Sequence, residues 1–220
     1  MSEPRQLPLP LPHEPSFARE DFLKRPSNAA ALALVESWPR WPAPLMLLVG
    51  PEGSGKSHLA AIFAEVSGAR RLADLDGPPP PGEAYVIDDA DALTGREAAL
   101  FHVLNHARAN GASVLLTAKS PPDLWGVATP DLISRLRLAP LVEIAPPEPE
   151  LIEAVLQKLF SDRQLLVEPS LIAYAARRLD RSLGAARALV EALDAEAMAR
   201  GAKVTRAMAS QWLSREGEPD

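Results

Sequence analysis

The run Leu45-Met46-Leu47-Leu48-Val49-Gly50-Pro51-Glu52-Gly53-Ser54-Gly55-Lys56-Ser57 constrains the fold of this chain more than any other stretch. It opens on five apolar residues, short enough for a fully buried strand. The pattern G-x-x-x-x-G-K-S follows, and His58 to Val66 then reads as a helix with Leu59, Ile62, Phe63 and Val66 on one face. Strand, glycine loop and helix in that order make the context of a phosphate-binding loop. Gly50, Gly53 and Gly55 allow the backbone to approach a phosphate closely. The helix start aims its free N–H groups and the positive end of its dipole at the anion. The expected nucleotide ligands are Gly50, Pro51, Glu52, Gly53, Ser54, Gly55, Lys56, Ser57 and His58. Lys56 is expected to reach the β- and γ-phosphates, and Ser57 to offer its hydroxyl to Mg²⁺.

About thirty residues on, Ala84-Tyr85-Val86-Ile87-Asp88-Asp89-Ala90-Asp91 reads as an apolar strand ending in carboxylates. At the C-terminal end of a parallel strand, Asp88 is placed to hold Mg²⁺ through water and Asp89 to orient or activate an attacking water. Asp91 is expected to face solvent or cap the next helix. The strand Ala112 to Thr117 ends on a polar residue, Thr117, where it can sense a γ-phosphate. His102 and His106 stand four apart on the expected helix Gly95 to Asn110, but no third metal ligand accompanies them, so they read as surface or partly buried histidines.

Prolines mark the boundaries. Residues 1–16 read as a flexible tail in which alternating Leu and Pro cannot be helix. Asn28 is a plausible N-cap for a helix from Ala29 to Glu36, and Trp38 and Trp41 read as packing residues. Arg70 to Leu75 reads as a short strand before the loop Gly77 to Gly82, and Leu141 to Ile144 as the last strand. Pro146-Pro147-Glu148-Pro149 breaks the chain, and four helices are expected beyond it. The fold class expected is therefore α/β: a base at 17–145 on a mainly parallel sheet, then a small all-α lid at 146–220. Cysteine is absent, which excludes disulfides and thiolate metal sites. No apolar run reaches membrane-spanning length and no signal peptide is visible, so the expectation is a cytoplasmic protein. The formal net charge of −6 argues against broad DNA binding.

Taken in order, the loop Gly50 to Ser57, Ile87-Asp88-Asp89, Leu116-Thr117 with Ser120-Pro121-Pro122, and Pro130-Asp131-Leu132-Ile133-Ser134-Arg135-Leu136 resemble the ATPase core of the bacterial initiator DnaA. Phe22 with Pro26-Ser27-Asn28 belongs to the same pattern. More narrowly, the chain is similar to the DnaA-homologous regulators of the Hda family. The resemblance spans nearly the whole chain and implies an AAA+ fold with ADP or ATP bound between base and lid. It implies that Arg135 acts as a finger across a subunit boundary, with DnaA as the partner. Two positions depart from it. Lys119 replaces a carboxylate two residues after the sensor position. The lid arginine falls on Gly184, with Arg181 and Arg187 nearby as substitutes. Both departures imply weaker discrimination of ATP from ADP, ADP as a resting ligand and little hydrolysis by the chain alone. The DnaA helix-turn-helix is not seen before Asp220, so no direct sequence-specific DNA reading is expected.

In the tail, Gln6-Leu7-Pro8-Leu9-Pro10-Leu11 resembles the bacterial sliding-clamp motif. Leu7, Leu9 and Leu11 project to one side of an extended chain, and Gln6 hydrogen-bonds at the pocket mouth. The implied function is a regulator that docks on the clamp of DNA polymerase III, as a monomer or a homo-oligomer, and stimulates hydrolysis of DnaA-bound ATP. The rival readings are a stand-alone AAA+ ATPase acting as a loader accessory, and a small-molecule kinase. A kinase needs a mobile lid inserted in the base, whereas these helices follow it.

Overall fold

The computed structural model describes residues 16–216, apart from 74, 76, 78 and 94. Five strands form one parallel sheet in the order β2-β3-β4-β1-β5. They are β1 (Leu45–Val49), β2 (Arg70–Arg71), β3 (Ala84–Ile87), β4 (Ser113–Ala118) and β5 (Leu141–Glu143). Strand β1 pairs with β4, the central strand, from Leu45↔Val114 to Val49↔Ala118, and with β5 from Leu47↔Leu141 to Val49↔Glu143. The expected α/β class with a parallel sheet is what the structure shows.

Strand alternation sorts the core. Met46, Leu48, Val86 and Leu115 face one way, onto α1 (Ala29–Glu36) and α2 (Lys56–Ser67). Leu47, Val49, Ile87 and Leu116 face the other, onto α3 (Glu97–Ala109) and α4 (Pro130–Leu138). Both faces are covered, which is why β1 and β3 read as unbroken apolar runs. Trp41 stacks on Phe63 with ring centroids 4.6 Å apart, and its indole N–H donates to the Leu34 carbonyl at 2.8 Å. The Trp38 indole reaches Ser113 Oγ at 3.2 Å, so both tryptophans pack as expected.

Four helices follow: α5 (Pro149–Asp162), α6 (Pro169–Ala176), α7 (Leu183–Arg200) and α8 (Arg206–Glu216). Their apolar faces form a third core of their own, built on Leu156, Phe160, Leu189 and Leu193. Ser182 caps α7, its Oγ accepting from the N–H groups of Gly184 and Ala185, and Gly201 ends it at φ +58°. Thr205 Oγ1 accepts from Met208 N ahead of α8.

Four local expectations change. β2 is only two residues long, with one further bond from Leu72 N to the Val86 carbonyl at 2.8 Å. The apolar strand β3 stops at Ile87, and Asp89 turns the chain at φ +48° into a 3-10 turn over Ala90–Ala92. Val66 is 49% exposed, on the last turn of α2 beyond the sheet. Asn28 stands at the start of α1 without capping it. Its side chain instead accepts from Arg25 N and donates to the Leu23 carbonyl, which fixes the preceding turn.

Candidate functional site

Of the expected nucleotide ligands, Gly50 to Gly55 run from the C-terminal end of β1 to the N-cap of α2, and Lys56, Ser57 and His58 form the first turn of α2. Gly55 takes φ +103° at the helix N-cap, a conformation costly for any residue with a Cβ, and no side chain caps the first N–H groups of α2. Lys56 is buried, and its Nζ donates to the carbonyls of Gly50 at 2.8 Å and Pro51 at 2.9 Å. Burial depresses its pKa, while Asp89 and Asp91 pull the other way. Ser54 Oγ is buried in the same loop without a hydrogen-bond partner. Uncapped N–H groups, an orphaned hydroxyl and a lysine bonded only to carbonyls are the donor set that a polyphosphate needs.

The acids sit on the adjoining strand end. Asp88 Oδ1 accepts from Thr117 Oγ1 at 3.1 Å, and Thr117 Oγ1 in turn accepts from Asp89 N at 3.0 Å. The expected sensor and the two acids thus form one hydrogen-bonded group. Asp91 neither faces bulk solvent nor caps α3. Its Oδ2 accepts from Lys119 N at 3.0 Å and its Oδ1 is buried without a partner, because the 3-10 turn folds the side chain under the end of β4. Lys119 Nζ bonds Glu52 at 2.7 Å across the loop. That contact raises the lysine pKa and lowers the glutamate's.

One member of the site carries no signal in the sequence. Arg71 on β2 is paired in register with Val86, two residues before Asp88. Its guanidinium forms an ion pair with Asp88 Oδ2 and donates to the Ser57 carbonyl at 3.2 Å. Both oxygens of Asp88 are therefore engaged, and a metal ion at Asp88 and Ser57 requires Arg71 to leave. The residues as arranged fit a nucleotide but not, at the same time, Mg²⁺. No motif flags an arginine on an edge strand; only the register of β2 against β3 brings it here.

The C-terminal helices close over the loop. Leu183 N donates to the Gly53 carbonyl at 2.8 Å. A Cβ built on Gly53 would lie 1.9 Å from Ser182 Oγ. Beside this contact is a cavity of about 120 Å³ lined by Phe22, Gly55, His58, Leu151, Leu183 and Arg187. His58 packs edge-on to Phe17 and Phe22, and its Nε2 meets the Ala18 carbonyl at 2.9 Å, so Nε2 carries the proton. Burial pushes its pKa down. Arg187 lies over the Phe17 ring at 5.8 Å and lines the cavity. Arg181 instead donates to the carbonyls of Pro147 and Pro146, tying the start of α7 to the proline break. Lys158 on α5 bridges to Asp21 at 2.9 Å.

Arg135 is not brought to this cleft. It extends from α4 along α3, bonded to Asn105 Oδ1 and stacked over Phe101 at 4.5 Å. Arg137 points elsewhere, to Asp123. His102 is exposed and His106 half-buried. Gln6, Leu7, Leu9 and Leu11 lie outside the described residues. No helix among the described residues is long and apolar enough to cross a membrane.

No family model matches the chain. It is 24% identical over 201 residues to the chromosomal replication initiator protein DnaA of Cutibacterium acnes, an alignment covering 77% of this chain and 40% of that protein. The chain thus spans well under two thirds of that relative's length. Among solved structures it is similar to domain III of the Thermotoga maritima replication initiation protein DnaA, with a TM-score of 0.78 at 19% identity, over 95% of this chain and 100% of that one. It is also similar to AMPPCP-bound DnaA from Aquifex aeolicus, with a TM-score of 0.69 at 15% identity, over 92% of this chain and 71% of that one. The chain is thus similar in sequence to the replication initiator DnaA, and its fold is that of the AAA+ domain of DnaA.

Proposed function

We propose that this chain is a nucleotide-binding regulator of replication initiation of the Hda kind. It holds ADP or ATP between the phosphate loop and the C-terminal helices. It docks on the sliding clamp through Gln6, Leu7, Leu9 and Leu11, and stimulates hydrolysis of ATP bound to DnaA. The observation that carries the nucleotide reading is the loop itself: Lys56 is held inward on two carbonyls, beside uncapped N–H groups at the start of α2. That a DnaA of the same fold is AMPPCP-bound supports nucleotide binding by this chain. The cavity at His58 and Arg187 takes the nucleoside side, and residues 17–145 and 146–220 act as base and lid around it.

Arg135 serves as the finger for a partner's nucleotide. Its stacking on Phe101 and its bond to Asn105 hold a cation half-exposed on a face away from the chain's own loop. Hydrolysis by the chain alone is weak in this reading. Lys119 pairs with Glu52 and puts a positive charge where the resemblance places a carboxylate, so the site lacks that acid. Mg²⁺, where it binds, uses the Ser57 hydroxyl and Asp88 after Arg71 has moved aside. The protein works in the cytoplasm and reads no DNA sequence directly, in keeping with its net charge of −6.

The test is the rate at which DnaA-bound ATP is hydrolysed with and without this protein and DNA-loaded clamp. Acceleration that needs both components supports the proposal. An unchanged rate contradicts it, and turnover of free ATP by this chain alone points to a stand-alone loader-type ATPase.

A further inference from the structure

We infer that Arg71 is a built-in counter-ion for Asp88, so that this chain binds nucleoside diphosphate without a divalent cation. The inference rests on the nucleotide reading and concerns how that site is neutralised. A carboxylate at the end of β3, beside a phosphate loop, repels the polyphosphate it faces. A bound metal ion ordinarily screens that charge. Here the guanidinium of Arg71 does so from within the chain.

Three features place it there. The parallel register sets Arg71 opposite Val86, on the strand end that also carries Asp88. The guanidinium pairs with Asp88 Oδ2 while also donating to the Ser57 carbonyl, so it bridges the acid strand and the first turn of α2. Thr117 donates to Oδ1, so each oxygen of Asp88 already has a partner from within the chain. Arginine suits this position because its planar fork serves two acceptors at once and stays protonated at any working pH. Arg71 is also partly exposed, its side chain at 42%, so removing it leaves no hole in the core.

The experiment titrates the full chain with mant-ADP in excess Mg²⁺ and in EDTA. The parent is expected to bind equally in both. Arg71→Met is expected to lose roughly ten- to a hundredfold in EDTA, the range carried by a charge-assisted hydrogen bond, and to recover in Mg²⁺, which can then take Asp88. Adding Asp88→Asn to Arg71→Met removes the charge that needs screening and should restore binding in EDTA. A parent that binds in Mg²⁺ but loses tenfold or more, about one charged hydrogen bond, in EDTA overturns the inference and leaves the nucleotide reading standing. Arg71→Met that binds like the parent in EDTA overturns it too, as does a double variant that stays as weak as Arg71→Met. A parent that binds mant-ADP in neither medium removes the nucleotide reading and this inference together.

Discussion

Gly53→Ala tests the seam between the phosphate loop and the C-terminal helices. Gly53 stands at φ +69°, where a Cβ costs roughly 1–2 kcal/mol in local strain. The new methyl would also lie 1.9 Å from Ser182 Oγ and 3.1 Å from Gly184 N. The start of α7 must therefore draw back, which breaks the 2.8 Å bond from Leu183 N to the Gly53 carbonyl. Losing that bond costs about 0.5–1.5 kcal/mol. The sum is about 1.5–3.5 kcal/mol, or a fall in Tm of roughly 3–14 °C for a chain of this length. Urea and thermal melts followed by circular dichroism measure it. Ser182→Gly, which by itself loses only a few tenths of a kcal/mol as a cap, removes the obstructing atoms. In Gly53→Ala with Ser182→Gly the hydrogen-bond part of the loss should return and the strain part remain, a coupling that a double-mutant cycle reads directly. Simple additivity of the two changes, or a Tm equal to the parent's, refutes the contact.

Arg135→Ala is expected to keep nucleotide and clamp binding while losing stimulation of DnaA-bound ATP hydrolysis, by up to ~10³–10⁵ if the finger acts fully in trans; unchanged stimulation rules the role out. His58 predicts a pH dependence. Its folded pKa is depressed by burial from 6.5, so the unfolded chain binds the proton more readily and stability falls as pH drops below 6.5 towards the folded value. Urea melts at about pH 7 and pH 5.5 should differ by at most ~1.4 kcal/mol per pH unit from this group, and His58→Gln should flatten that difference. Gln6→Ala with Leu9→Ala should abolish co-elution with the sliding clamp and leave ADP binding intact; retained co-elution places the clamp contact on the globular part.

The strand, glycine loop and helix are legible in the sequence because the loop pattern fixes residue types at fixed spacing: Gly50 to Gly55 connect β1 to α2, and Lys56 and Ser57 open the helix. The two faces of the sheet are legible for a similar reason, since strands buried on both sides admit little but apolar residues. The features that escape the sequence depend on register and on long-range closure. Arg71 meets Asp88 only because β2 lies parallel to β3, and two consecutive arginines carry no signal of that. Ser182 meets Gly53 only because α7 folds back over the loop, across more than a hundred residues of chain. Asn28 differs in a third way: it stands at the start of α1 as expected, but its side chain is bonded to the turn before the helix. Asp91 departs from expectation because the strand ends at Ile87, and the αL turn at Asp89 carries the next residues under the end of β4.

The central claim is that Lys56 and its loop hold a nucleotide, and isothermal titration of ADP into the parent and into Lys56→Ala tests it most directly. Lys56 is buried and bonded only to loop carbonyls, so its removal takes away the loop's buried cation while sparing the apolar cores. Saturable binding of one ADP per chain is expected from the parent, and no measurable heat of binding from a folded Lys56→Ala. Equal binding by the two proteins, or none by the parent, contradicts the claim.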